Sequence, residues 1–280
     1  PPQLSLESFQ SYLSTRRLGR APAWPNELWE SIDSTNNRAA ELAARGAPEG
    51  VIVTARRQTS GRGRQGRVWL SPPDSGLYVS FLLRPQGPRS LLPMHTLACG
   101  VAAAKAIWQC VGVRIGLKWV NDLVIEGKKL GGILAEMPAC AASGTASGDL
   151  PAPLILGVGI NLRMSPSEIP EELRDRVEWL ERCTQQPVDP NQLLAFLALF
   201  LEQEYDRLES GNSAEVIEGW KQFSVTLGRE IRAASSGSTI EGTAVDLSDT
   251  GGLIVETRDG KRITLHAGEI SIRAADGSYA

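Results

Sequence analysis

The residues from Gln58 to Trp69 read QTSGRGRQGRVW, and they set three glycines (Gly61, Gly63, Gly66) in alternation with three arginines (Arg62, Arg64, Arg67). Glycine lets a backbone approach an anion closely and frees its N–H groups to cradle oxygens. Arginine adds fixed charge and a fork of donors suited to phosphate or carboxylate. Following a buried strand, the segment reads as an anion-binding loop; a solvated basic loop is the plainer alternative. The same residues match G-x-G-x-x-G, the turn of a dinucleotide-binding fold. Against that reading, no helix opens after the third glycine, where VWLSPPDSG stands instead, and the acid expected about 20 residues later is missing around Gln86.

A second chemical segment is LKWVNDLVIEGKKLGGILAE, residues 117–136. Lys118 ends an apolar strand, followed by Trp119, Asn121 and Asp122. An ammonium there is costly unless it is paired or used. Facing an anion at about 4 Å with an effective dielectric near 20, it gains on the order of 4 kcal/mol before desolvation. A surface pair between Lys118 and Asp122 would be worth less than about 1 kcal/mol. Gly131 and Gly132 take side chains away from a sheet face, as a flat ligand lying there would require, or else mark a bulge. In GVGINL, residues 157–162, two more glycines lie in a buried strand that ends in Asn161. Ligand approach and close packing both account for them.

The elements that must position these residues follow from the hydropathy pattern. A helix opens at Ser34-Thr35-Asn36, with Thr35 as N-cap, and ends at Gly46. Strands are expected at 50–56, 76–84, 114–118, 122–126, 129–137 and 154–162, with a hairpin turn at Glu126-Gly127-Lys128. Helices are expected at 90–111, 166–182, 213–223 and after Asp189, where Pro190 takes the first position. Residues 138–152 read as a flexible surface loop. From Gly228 to Arg273 the pattern becomes short alternating strands separated by Gly-containing turns, and the expectation is a small β-barrel. The chain divides into an N-terminal extension (1–27), a main domain (28–225) and the small C-terminal domain (226–280).

Composition limits the function classes. The chain has 280 residues, 42% of them hydrophobic, enough for a sizeable core. A net charge of −3 gives no global basic field for nucleic acid. Cys99, Cys110, Cys140 and Cys183 lie far apart without zinc spacing, as buried or incidental thiols in a reducing compartment would. His95 and His266 are the only histidines, so no multi-His metal site exists. No run of about 18 uncharged apolar residues occurs, and the start does not read as a signal peptide, so the expected address is cytoplasmic.

Together these segments resemble biotin–protein ligases. GRGRQGRVW looks like that family's GRGRxGRxW loop, KWVNDL its KWPNDL strand, KKLGGILAE its KLAGIL hairpin, GVGINL its GxGIN strand, and Ser34-Thr35-Asn36 its STN element; GEISIR fits its C-terminal barrel. Val120 stands where the family usually has proline, a change expected to affect strand rigidity more than chemistry. The resemblance implies an α+β fold: a class II synthetase-like mixed sheet with packed helices, plus an SH3-like barrel. It implies ATP and biotin as substrates, with Mg²⁺ carried on the phosphates and no protein metal site. Biotin would be held by Ser34, Thr35, Asn36, Gln58, Gly61, Arg62, Gly63, Arg64, Lys118, Gly131 and Gly132. Arg64, Arg67, Trp69, Asn121, Asp122, Lys129 and Asn161 would serve the nucleotide, with Lys118 and Arg64 catalytic. The partner would be a biotin carboxyl carrier protein. No DNA or membrane partner is expected, because residues 1–27 are too short and irregular for the winged helix some members carry. A monomer is the default, a homodimer the alternative. A lipoate ligase of the same architecture, a nicotinamide-dependent oxidoreductase and a non-catalytic binding module are the rivals; the STN element and Gln58 favour biotin.

Overall fold

The computed structural model describes residues 1–138, 151–235, 238–266, 271–274 and 279. Most of the 138–152 loop expectation therefore lies outside the described residues.

Seven strands form the main sheet: β1 (Glu27–Trp29), β2 (Ile52–Ala55), β3 (Gly76–Leu83), β4 (Gly116–Lys118), β5 (Asp122–Ile125), β6 (Lys128–Glu136) and β7 (Leu154–Asn161). Their order is β1-β2-β3-β7-β6-β5-β4. The β1–β2 pair is parallel and the rest are antiparallel, so the sheet is mixed. The β5–β6 turn has positive φ at Glu126 (50°) and Gly127 (74°), the backbone a tight two-residue hairpin turn requires.

The continuous apolar runs of β2, β3 and β7 reflect burial on both faces. Ile52, Phe81, Leu83, Leu154 and Leu156 belong to the large core shared with α3 (Leu92–Val111) and α5 (Pro190–Glu209). Their neighbours Val53, Leu82 and Ile155 face the other way and pack with Ala39, Leu42 and Ala43 of α2 (Thr35–Ala44). Asp189 caps α5 by accepting from the Asn191 N–H at 2.9 Å. Among the described residues, α3 with the turn before it is the one helix long and apolar enough to cross a membrane by length and composition; most of it is buried, as in a core helix.

Two local expectations change. Ser34, not Thr35, occupies the N-cap of α2. The 166–182 stretch is not one helix but short turns at Pro166–Glu168 and Glu171–Leu173 followed by α4 (Leu180–Thr184), because Pro166 and Pro170 withhold N–H donors from a continuous ladder. The N-terminal extension packs into the main core. In α1 (Leu6–Tyr12) Phe9 is fully buried, and the Glu202 carboxylate on α5 accepts the backbone N–H groups of Arg16, Arg17 and Leu18 at 2.8, 2.7 and 3.0 Å.

The C-terminal barrel is not found. After α6 (Ser213–Phe223) come β8 (Glu230–Ser235), β9 (Ser238–Leu247), β10 (Leu253–Glu256), β11 (Arg262–Leu265) and β12 (Ser271–Ala274). They form an antiparallel sheet of order β11-β10-β9-β8-β12. Closure would need β11 to pair with β12, and among the described residues these two remain opposite edges. The alternating pattern specified the strands and their turns, but it carries no information on edge-to-edge pairing. The apolar side of this sheet, including Ile231, Leu253, Val255 and Ile272, joins the same core as α3 rather than enclosing one of its own. Thus the α+β part of the expectation stands and the SH3-like barrel does not.

Phe9→Ala is expected to lower unfolding free energy by about 3–5 kcal/mol, because it empties a fully buried aromatic position. Urea denaturation checks this; a loss under about 1 kcal/mol would mean the N-terminal segment is only loosely attached.

Candidate active site

Strand pairing alone assembles the floor of the site. Directly paired residues share a sheet face. Lys118 pairs with Asp122, Asp122 with Gly132, Gly132 with Gly159, and Leu134 with Gly157, which also pairs with Ser80. All therefore lie on the face that carries α2. A Cβ on Gly157 would come within 2.2 Å of Asn36 Oδ1, and one on Gly159 within 2.5 Å of Trp69 Nε1. The glycines are needed there because Asn36 and the Trp69 indole rest directly on the backbone. Gly131 faces the opposite way, where a Cβ would meet Leu123 at 2.9 Å and the Gly159 carbonyl at 2.6 Å. Its smallness serves packing against the neighbouring strands, and it does not line the cavity.

The Gly/Arg segment forms a finger over this floor. Trp69 N–H donates to the Gly61 carbonyl at 2.8 Å and Gly63 N–H to the Arg67 carbonyl at 2.7 Å. A turn at Arg64–Gly66 reverses the chain, with positive φ at Gln65 (57°) and Gly66 (70°). Gly61 sits at the finger's base, outside the cavity lining, whereas Arg62, Gly63, Arg64 and Arg67 line it. Arg64 Nη1 donates to Asn121 Oδ1 at 3.2 Å, and burial pulls the Arg64 guanidinium below its ordinary pKa.

At one end of the cavity the polar groups are uncharged. Gln58 Oε1 accepts from the Thr35 N–H at 2.9 Å and hydroxyl at 3.1 Å. Ser80 Oγ hydrogen-bonds with Thr35 Oγ1 at 2.8 Å and Asn36 Oδ1 at 2.6 Å. Ser34 completes this end at the N-cap of α2.

The other end is charged. Lys118 is 5% exposed. Its Nζ donates to the Tyr279 carbonyl and lies 3.9 Å from the centroid of the Tyr279 ring. Burial lowers its pKa to about 8, opposed by Asp122 and reinforced by Arg273, Lys129 and Arg67. Lys129 Nζ stands 2.6 Å from Asp122 Oδ1, and the Tyr279 hydroxyl donates to Asp122 Oδ2. Burial works against the Asp122 anion, yet Lys129, Tyr279 and Lys118 hold its pKa below the usual carboxylate range. Trp69 lies across the floor with Lys129 Nζ 5.5 Å from its ring centroid. Asn161 donates to the Glu178 carbonyl at 3.0 Å. The Trp119–Val120 peptide is cis.

One cavity thus gathers the sequence-identified residues apart from Gly61 and Gly131. Sequence reasoning missed Ser80, Ile272, Arg273 and Tyr279. Ser80 was hidden in an apolar strand. The other three arrive from the second sheet and the segment after it, more than 140 positions from Lys118, and no local pattern marks them.

The arrangement has known counterparts. The family described as "Biotin/lipoate A/B protein ligase family" matches residues 28–143, and "Biotin protein ligase C terminal domain" matches 226–273. A bifunctional ligase/repressor BirA of Bacillus subtilis is 33% identical over 260 residues, covering 93% of this chain and 77% of that protein. The chain belongs to the biotin protein ligase family. A second member, the biotin–[acetyl-CoA-carboxylase] ligase of Mycobacterium tuberculosis, is 28% identical over 86% of this chain and 89% of its own length. Among solved biotin protein ligases, that of Aquifex aeolicus in complex with biotin and ATP superposes with a TM-score of 0.77 at 30% identity, covering 90% of this chain and 100% of that one.

Gly159→Ala should push the Trp69 indole off the sheet. The expected result is an ATP affinity weakened roughly tenfold, about 1.4 kcal/mol, with the thermal midpoint nearly unchanged. Calorimetric titration with ATP decides it; wild-type affinity would show that the glycine floor is not used.

Proposed function

We propose that this chain works as an ATP-dependent ligase that forms biotinyl-5′-adenylate and passes biotin to a lysine of a carrier protein. The observation that carries the reading is the two-ended cavity: an uncharged hydrogen-bonding end for a ureido ring, and a cationic end for two anions. A lipoyl chain has no ureido group for Thr35, Asn36, Gln58 and Ser80 to meet, so the neutral polar end favours biotin over lipoate.

In the first half-reaction the biotin carboxylate attacks the α-phosphorus of ATP and pyrophosphate leaves. The protein places the two anions together and offsets their repulsion. Lys118, at the charged end of the floor, faces the biotin carboxylate and the bridging phosphate. Arg64 and Arg67 act on the phosphates, Trp69 packs on the adenine, and Lys129, Asn121, Asp122 and Asn161 serve the nucleotide side. Asp122 is the one carboxylate among the described lining residues, and the cationic lining suits phosphates that carry their own Mg²⁺, as in a MgATP substrate. In the second half-reaction the carrier lysine's neutral amine attacks the acyl carbon and AMP leaves. The finger keeps water from the mixed anhydride. The partner is a carboxylase carrier domain.

Incubation with MgATP, biotin and a carrier domain should add one biotinyl group to the carrier in intact mass. Lys118→Ala should slow biotin-dependent pyrophosphate release by about 100-fold or more. The ammonium is present below its pKa of about 8 and is lost as pH rises through that value. kcat/KM for pyrophosphate release should therefore fall on the alkaline side, and Lys118→Arg, charged throughout, should remove that limb. A Lys118→Ala rate within a few-fold of wild type would contradict the assigned role.

A further inference from the structure

Glu136 ends β6 on the site face, paired with Ile155 beneath α2. One of its carboxylate oxygens, Oε2, accepts from Asn36 Nδ2 at 2.7 Å and from Arg62 Nη2 at 2.8 Å. Asn36 thereby has both ends of its amide fixed: the donor end on Glu136, the acceptor end on Ser80 Oγ at 2.6 Å, with its flank against Gly157. Arg62 belongs to the finger, near its base. A single carboxylate therefore joins three elements: the first turn of α2, the end of β6 and the anion-binding finger.

We propose that Glu136 is a positioning residue for biotin, orienting the Asn36 amide at the neutral end of the cavity and tying the finger down through Arg62. The inference rests on the biotin-ligase reading above. An amide can present its oxygen or its NH₂, and a polar ring distinguishes the two. With a carboxylate on one side and a hydroxyl on the other, only one orientation satisfies both neighbours. The Arg62–Glu136 pair is partly exposed, with side chains 43% and 30% accessible, and by itself is a weak tie. Its consequence is coupling: the oxygen that orients Asn36 also holds the finger, so a filled neutral end and a closed finger favour each other. Glu136 thus sets both the affinity for biotin and the retention of the adenylate, without touching the reacting atoms.

Two variants separate this role from a purely structural one. Glu136→Ala removes both bonds; Glu136→Gln keeps an acceptor for Asn36 but loses the charge facing Arg62. Steady-state pyrophosphate release and trapping of escaped biotinyl-adenylate by hydroxylamine are the readouts. Glu136→Ala is expected to raise the biotin KM roughly tenfold while the ATP KM stays within about twofold, and to increase escape of the adenylate. Glu136→Gln should recover most of the biotin KM and retain the increased escape. A Glu136→Ala enzyme with wild-type biotin KM, or one whose biotin and ATP KM rise together as its thermal midpoint drops, overturns the proposal. If Glu136→Ala does not fold, Glu136→Gln decides: wild-type escape overturns it, increased escape supports it. Wild-type protein that releases no pyrophosphate with biotin overturns the ligase reading itself, and this inference with it.

Discussion

The rest of the site depends on an imbalance of charge. Six cationic side chains (Arg62, Arg64, Arg67, Lys118, Lys129 and Arg273) line one cavity with a single carboxylate, Asp122, among the described residues. Burial is the main cause of the lowered pKa of Lys118 and of Arg64, and repulsion from neighbouring cations adds to it, from Arg273, Lys129 and Arg67 at Lys118 and from Arg67 at Arg64. The fold tolerates the arrangement because Asp122 ties Lys129, Asn121 accepts from Arg64, and the Tyr279 ring and carbonyl cover Lys118. What would relieve it fully is an arriving anion, and two anions relieve it better than one. Preorganised positive charge of this kind acts most strongly where two negative reactants must meet.

The charges are useful only because a bare surface lies beside them. The two-residue period of the strands puts Lys118, Asp122, Gly132, Gly159 and Gly157 on one face while Leu117, Leu123, Ile133 and Val158 face the helical core. A one-residue slip of register would exchange the two sets, so the core that buries the second set also fixes the position of the first. Catalytic geometry here is a by-product of core packing, which explains why the floor needs glycine exactly where Asn36 and Trp69 lie against it.

Much of this was legible in the sequence. The alternation of glycine and arginine at 61–67 marked a loop that lines the cavity, the apolar runs located the buried strands, and Asp189-Pro190 marked the start of α5. The reading failed where the answer depended on distant partners. Gly131 and Gly132 look equivalent in sequence, and only the pairing register shows that one faces the core. Ser80 reads as one more residue of a buried strand until α2 is placed above it. Glu136 looks like the polar end of a hairpin. The C-terminal strands were recognisable one by one, but whether their sheet closes is decided by its two edges, which no local pattern relates. Arg273 and Tyr279 reach Lys118 only through the docking of the second sheet on the first.

The central claim, that buried positive charge selects a carboxylate for attack on a neighbouring phosphate, is tested most directly by comparing biotin with biotinol, its neutral alcohol analogue, in calorimetric titrations of the wild type and of Lys118→Met. The account predicts that the wild type prefers biotin by roughly tenfold or more and that the variant binds both alike, through the unaltered neutral end. If Lys118→Met keeps the full preference for biotin, the carboxylate is held elsewhere and the account is wrong.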